Sequence, residues 1–355
     1  MNYARFHVFS GTGNSLHLAR SLAMRFEAAG TRTEIIEVSS EALQRLRSAP
    51  PDEPALSGGD GLDLFLFPVY AMSVPRIMAR YIAALGRRRG GVRPRAAVLS
   101  TNGRISARFR DGHEGQALAQ AERLLARRGW DVSYRETFDY PQSITSFLNP
   151  HDEYKKAALL AALEPAIDRA AGDLLGGILF KRPCRPVFHL IGWPFGWLFR
   201  LIGRRCWAML FAADGRCDGC GVCARRCPAG AIRMSGGRPA WSYACEGCDR
   251  CINLCPKAAI QTSVLRVCLV AFLLMAADAC PLKPAAAAAF AGAAGTSPIS
   301  GTAFGALWLI LSTILGFGLL SGADAALVGL GRVPALRPVL AFGWTRWFRR
   351  YRDQR

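Results

Sequence analysis

Lysine is scarce in this chain, five residues in 355, and no Gly-Lys-Ser/Thr triplet occurs, which excludes a nucleoside-triphosphate P-loop. The full Gly-x-Gly-x-x-Gly dinucleotide fingerprint is missing too, so direct nicotinamide oxidation is disfavoured. No acid–base pair or activated nucleophile stands out, and no catalytic residue is expected. No cleavable signal is read at the N-terminus, so a disulfide framework is not expected either. Acidic residues are outnumbered, 26 against 45 basic ones, for a formal charge of +19 carried almost wholly by arginine. Such a balance favours acidic protein partners or anionic lipid. Basic runs occur at Arg87-Arg88-Arg89 and in the last residues, but no aromatic-interleaved basic stripe does, which argues against nucleic acid. A mean hydropathy of +0.15 points instead to membrane contact.

Cysteine is what the chain has in pattern. Eight of its twelve fall in two copies of one run, Cys217-x2-Cys220-x2-Cys223-x3-Cys227-Pro228 and Cys245-x2-Cys248-x2-Cys251-x3-Cys255-Pro256. Structural zinc sites use separated Cys-x2-Cys pairs, not a run closed by Cys-Pro. Soft thiolates at this spacing select iron–sulfur clusters. The run resembles that of bacterial ferredoxins, in which the fourth cysteine reaches the other cluster. The resemblance implies two [4Fe–4S] clusters, one on Cys217, Cys220, Cys223 and Cys255, the other on Cys245, Cys248, Cys251 and Cys227. Cys184, Cys206, Cys268 and Cys280 lie outside the pattern and read as small hydrophobes.

In the N-terminal half, Arg5–Phe9 reads as a buried strand. It runs into Ser10-Gly11-Thr12-Gly13-Asn14-Ser15 and then an apolar-periodic helix through Leu16, Leu18, Leu22 and Phe26. A strand, a hydroxyl- and glycine-rich loop and a helix make a phosphate cradle: glycines let backbone N–H groups close on an anion, and the helix N-terminus adds its dipole. With no lysine, the loop suits a monophosphate held by neutral donors. Further strands are expected over Thr33–Val38, Leu62–Phe67, Ala96–Ser100 and Trp130–Phe138, with helices over Val74–Leu85, Gly115–Arg128 and Glu153–Ala171. The alternation implies a doubly wound parallel sheet with its ligand at the carboxyl ends of the strands.

The Ser10–Ser15 loop is similar to the loop that binds the FMN phosphate in flavodoxins. The resemblance implies FMN here, with Tyr70, in the loop Pro68–Ser73, stacked on the ring. Thr101, Asn102 and Gly103, in a loop Ser100–Arg104, would lie at the ring edge. The second loop departs from flavodoxins in having no aromatic. Residues 1–262 as a whole resemble the bacterial and archaeal flavodoxin–ferredoxin fusions, the EFR1-type ferredoxins, which implies an electron carrier but no particular substrate.

Residues 187–213 are rich in aromatics, among them Trp193, Phe195, Trp197 and Trp207, but Pro194 and Arg200, Arg204 and Arg205 interrupt them. The stretch reads equally as an interfacial amphipathic segment or as a soluble cover. Two apolar stretches follow the cysteines. Val264–Ala279 is short; Ala303–Leu320 is uncharged and long enough to span a bilayer, with Asp324 just beyond it. Together they predict a hairpin whose outer loop is the alanine-rich Pro281–Thr302. The tail bears Arg332, Arg337, Arg346, Arg349, Arg350, Arg352 and Arg355 against Asp353, and by the positive-inside rule it is cytoplasmic, with Trp344, Trp347, Phe348 and Tyr351 at the lipid interface.

The expected organisation is thus a flavodoxin-like domain at 1–172, a linker at 173–213, a small α+β 2[4Fe–4S] domain at 214–262, a membrane hairpin at 263–331 and a basic tail at 332–355. The expected function is electron transfer at the cell inner membrane, on its cytoplasmic face, between a two-electron partner and one-electron carriers. An acidic ferredoxin or a membrane redox complex would be the partner. A quinone or small-molecule reductase and a non-catalytic redox sensor or subunit are the alternatives.

Overall fold

The computed structural model describes residues 1–48, 61–87, 93–104, 114–183, 186–279, 282–294, 298–331 and 333–351. Cys184, Cys280, Arg88, Arg89, Arg332 and the residues after Tyr351 lie outside them.

The first half alternates β1 (Tyr3–Val8), α1 (Asn14–Ala28), β2 (Arg32–Glu37), α2 (Ser40–Ser48), β3 (Gly61–Pro68), α3 (Arg76–Ala84), β4 (Arg95–Arg104), α4 (Ala117–Ala126), β5 (Asp131–Pro141), α5 (Glu153–Ala161), α6 (Glu164–Leu175) and β6 (Phe180–Lys181). The strands pair in parallel in the order β2-β1-β3-β4-β5-β6. Apart from the extra edge strand β6, this is the flavodoxin order, and its switch point falls between β1 and β3. β3 is buried along nearly its whole length, as a central parallel strand covered on both faces must be. On one face Leu18, Leu22 and Phe26 of α1 pack with Ile167 and Leu174 of α6. On the other, Ile77, Met78 and Tyr81 of α3 pack with Ala121 and Leu125 of α4.

Several expectations need correction here. Glu153–Ala171 is two helices, because Pro165 in the first turn of α6 cannot lie inside a continuous one. Ser100–Arg104 is not a loop: β4 runs on to Arg104, since β5 offers partners as far as Pro141. β6 and α2 were not expected.

The aromatic stretch forms α7 (Pro186–Leu198), a π-helical turn at Phe199–Gly203 and α8 (Arg204–Met209). It serves as a cover along one side: Gly192 lies against Met72, Gly196 against Ser73, and the Gln116 side chain donates to the Gly192 carbonyl at 3.1 Å. Its other side leaves Leu190, Trp193, Phe195 and Trp197 exposed.

The cysteine-rich module contains β7 (Phe211–Ala213), α9 (Val222–Arg225), β8 (Ile232–Ser235), β9 (Arg238–Trp241), α10 (Arg250–Leu254) and β10 (Ile260–Thr262). β7, just before the expected start at 214, pairs antiparallel with β10 and closes the module. Next come α11 (Val264–Asp278), α12 (Leu282–Ala294), α13 (Pro298–Leu330) and α14 (Arg337–Leu340). The stretch expected as an outer loop is largely helical, in keeping with alanine's helix propensity. α13 continues through Asp324, which Arg205 and Arg266 neutralise at 2.6 and 2.7 Å. Within it, Ile310–Leu330 is long and apolar enough to cross a membrane. Beyond α14 the chain returns to the cysteine-rich module. The Trp344 indole donates to the Ser146 carbonyl, the Thr262 amide to the Thr345 hydroxyl, and Tyr351 is buried. Trp344 and Tyr351 therefore serve as packing groups between the modules, not as a lipid belt; Trp347 is exposed.

Candidate functional site

The two cysteine runs fold as copies. Gly219 and Gly247 have φ of 77° and 67°, Gly221 and Asp249 of 69° and 57°, Gly230 and Ala258 of 59° and 46°. Left-handed backbone at equivalent points turns each loop tightly enough to aim its thiols inward, and glycine tolerates it best. The Ala231 amide donates to the Cys227 thiol and the Ala259 amide to the Cys255 thiol, both at 3.3 Å. Such N–H···S bonds stabilise cluster thiolates and tune potentials.

The thiols divide into two sets. Burial, reinforced by neighbouring Cys255, Cys217 and Cys220, pushes the Cys223 thiol up to about 11. Cys248 and Cys251 are pushed well above the ordinary thiol value by burial, with Cys227 and Cys245 also close by. Cys223 thus neighbours Cys217, Cys220 and Cys255, and Cys227 neighbours Cys245, Cys248 and Cys251. No three His, Cys, Asp or Glu side chains among the described residues close on a point that would suit one metal ion. A single ion holds its thiolates within about 4 Å of each other, whereas a cubane takes one at each of four corners. Two sets of four soft donors with amide support fit such clusters. The sets differ in exposure: Cys245 is buried, and Cys220 is exposed.

The second run docks on the carboxyl ends of the parallel sheet. There the Ser10–Ser15 loop links β1 to α1. Gly13 is left-handed at φ 104° and caps α1 without a side-chain hydrogen bond, which leaves a helix N-terminus for an anion. The Ser10 hydroxyl accepts from the amides of Gly13 and Leu16 at 3.1 and 3.4 Å. The Thr12 hydroxyl donates to Ser143 at 2.7 Å, and Ser15 shares a 2.8 Å bond with Thr101. The Asn14 amide donates to the Pro141 carbonyl, and its oxygen accepts from the Tyr351 hydroxyl at 2.6 Å. The loop is thus fastened by its side chains, and the start of α1 is left without a side-chain cap.

Gly11 has a different role from the one expected. A Cβ there would lie 2.5 Å from the Tyr70 hydroxyl and 2.8 Å from Cβ of Cys248. Its bareness lets the cysteine-rich module approach. Tyr70 lies over this contact, edge-on to Phe9, and burial followed by Cys248 raises its hydroxyl well above the ordinary value. Thr101 and Asn102 are buried within β4, Asn102 donating to Thr137, and Gly103 faces Gln142.

Other docking residues carried little sequence signal. The Arg250 guanidinium donates to the carbonyls of Ser10 and Gly11 at 3.2 and 2.9 Å. The Asp249 carboxylate accepts from the Ser146 amide and hydroxyl at 2.8 and 2.6 Å and from Trp207 at 3.2 Å, while burial still pushes it up to about 6. Glu246 accepts from the amides of Arg76 and Ile77 at 3.0 and 3.1 Å, capping α3 from across the interface. The available hint was that Glu246, Asp249 and Arg250 fill gaps in the second run where the first has Asp218, Gly221 and Val222.

Residues 216–260 match the family model of the 4Fe-4S dicluster domain. The chain thus joins a sheet of flavodoxin-like strand order to a 4Fe-4S dicluster domain. For the flavodoxin-like half of this fusion, strand order assigns the fold. Solved structures similar to the chain include the rubredoxin oxygen:oxidoreductase of Desulfovibrio gigas, at 12% identity and TM-score 0.28 over 49% of this chain and 37% of that one. The Streptococcus pneumoniae TIGR4 flavodoxin matches at 14% identity and TM-score 0.29, over 48% and 99%. The Treponema denticola general stress protein 14, solved with FMN, matches at 13% and 0.29, over 50% and 98%. No curated protein sequence matches the fusion significantly.

Proposed function

We propose that the fusion is a membrane-associated electron carrier holding FMN at the Ser10–Ser15 loop and two [4Fe–4S] clusters, one on Cys217, Cys220, Cys223 and Cys255, the other on Cys245, Cys248, Cys251 and Cys227. The observation that carries this reading is the contact between Gly11 and the Cys248 turn, which brings the flavin loop and one thiol set together. Bound FMN would exchange electrons in pairs with one partner, and the clusters would pass them singly.

The chain's own residues supply order and direction. The backbone of Asn14 and Ser15 at the start of α1 binds the phosphate, while Tyr70, Arg250 and Asp249 hold the flavin loop against the buried cluster and exclude water between them. The exposed set around Cys220 is then the outlet. Arg216, Arg225, Arg226 and Lys257 are exposed around it, a field suited to an acidic redox partner such as a soluble ferredoxin or a subunit of a membrane redox complex. The hairpin of α11 and α13 inserts into lipid of the inner membrane, its arginine-rich ends and the redox modules on the cytoplasmic side.

Anaerobic cofactor analysis of the detergent-purified protein tests the core of this reading. About one FMN and about eight irons per chain, as two cubanes require, is the expected result. Eight irons without flavin, even after FMN is offered, would sink the flavin relay and favour a redox sensor or subunit.

A further inference from the structure

A cavity of about 50 Å³ lies between the dicluster domain and the hairpin, remote from the flavin loop. Trp241, Arg238, Arg266, Asp324, Val328 and Leu340 are among its lining residues. Arg266 is 6% exposed. One of its nitrogens holds Asp324 at 2.7 Å and the Met209 carbonyl at 2.9 Å, while its Nε has no hydrogen-bond partner among the described residues. A buried, unpaired N–H donor is destabilising unless a ligand satisfies it. On the opposite wall, the Trp241 indole neighbours the Cys251 thiol in one core cluster. Beyond the Arg266–Asp324 pair, a smaller cavity of about 10 Å³ follows the hairpin between Leu269, Val270 and Leu320.

We propose that this cavity binds the headgroup of a quinone, its carbonyl accepting from Arg266 Nε and its tail running along the hairpin. Three features select that ligand class. The wall is mainly apolar, a buried donor waits for a neutral acceptor, and the thiol of a cluster ligand stands behind one aromatic ring. The excess of arginine would stabilise negative charge on the oxygen as electrons arrive. The redox step rests on the electron-transfer reading above. A quinone bound there would take two electrons, one at a time, from the cluster that Cys251 would help hold, and two protons from water, so that both C=O groups become C–O–H. The cluster would be oxidised once for each electron and re-reduced between them by FMN at the Ser10–Ser15 loop.

The test is photolabelling of the full-length holoprotein in nanodiscs with a short-tailed azido-quinone, mapped by mass spectrometry. Saturable label on peptides containing Trp241, Arg266 or Val328, displaced by unlabelled quinone, is expected. It should fall at least tenfold in Arg266→Met and in Val328→Phe, with iron and sulfide unchanged. Val328→Phe fills the cavity while leaving the ion pair intact, which guards against a folding defect in the arginine variant. Wild-type protein without label at these peptides, or undiminished label in Val328→Phe, overturns the site. So does label displaced by phosphatidylglycerol and not by quinone, which would make the cavity a lipid-headgroup site. Protein with its clusters but without label fails the quinone site alone, whereas protein purified without clusters fails the electron-transfer reading and the redox step with it.

Discussion

Gly11 of the flavodoxin-like domain and Cys248 of the dicluster domain meet with no space for a methyl group, a Cβ on Gly11 falling 2.8 Å from that of Cys248. Gly11→Ala must therefore push the Cys248 turn and Tyr70 away, and overpacking of this kind costs about 1–3 kcal/mol. The expected outcome is slower flavin-to-cluster electron transfer with iron content retained, read by anaerobic stopped-flow. Gly172→Ala is the contrast: nothing lies within 4 Å of its Cβ and the residue is inside α6, so that variant should gain about 0.5–1 kcal/mol. An equal electron-transfer rate in wild type and Gly11→Ala would remove the contact from the relay.

Glu246 ties the same interface from its other side. Its carboxylate is 3% exposed and caps two amides of α3, whose N-terminal Pro75 has no side chain that can accept them. Glu246→Ala leaves both amides unsatisfied, at about 1–3 kcal/mol. Amide hydrogen exchange at Arg76 and Ile77 should accelerate well beyond that of α4. Unchanged protection there would mean that the cap contributes nothing to docking.

How much of this was legible beforehand follows the range of the interactions. Cys217–Cys227 and Cys245–Cys255 are local runs, so their spacing pointed to the dicluster domain, while the exchange of Cys227 and Cys255 between the sets came from the resemblance to bacterial ferredoxins. The Ser10–Ser15 loop was legible for the same reason. Arg250 reaching Ser10, Asp249 reaching Ser146 and Tyr351 reaching Asn14 join residues far apart in sequence, and no periodicity encodes such a meeting. β6 was invisible because two exposed residues carry no pattern. The break at Pro165 was available in the sequence and was outweighed by the apolar spacing around it. Trp344 and Tyr351 read as lipid-facing because aromatic residues beside arginine suit a membrane surface and a domain seam equally well.

Tyr351 gives that seam a measurable link to the Ser10–Ser15 loop. Its hydroxyl holds Asn14 at 2.6 Å, its amide donates to Asn253 at 2.8 Å, and Lys156 Nζ lies 4.6 Å from its ring centroid. Tyr351→Phe keeps the ring and the amide bond but releases Asn14. One such hydrogen bond is worth about 1 kcal/mol, so FMN affinity should weaken roughly fivefold, by fluorescence titration of the apo-flavin protein, while cluster content stays constant. Equal affinity would show that the Tyr351 contact leaves the loop's grip on FMN unchanged.

Asp324 decides whether α13 stays fixed to the redox modules. It is 8% exposed and accepts from Arg205 next to α8's start and Arg266 near the start of α11. Asp324→Ala strands two guanidinium groups in a buried setting, and breaking such a pair costs about 3–5 kcal/mol. The lost contacts tie α13 to α8 and to α11, and Arg205 in turn donates to the Trp241 carbonyl of the cysteine-rich module at 2.9 Å, so α13 should loosen first, with new protease cleavage around residues 324–337 in nanodiscs. Asp324→Asn keeps the shape and both acceptor sites' positions but drops the charge and turns one acceptor into a donor, so its loss should fall between that of Ala and wild type. Identical cleavage patterns in all three proteins would show that the ion triad does not anchor the hairpin. The packing of Trp241 and Leu340 around the cavity would then help hold α13 to the cysteine-rich module.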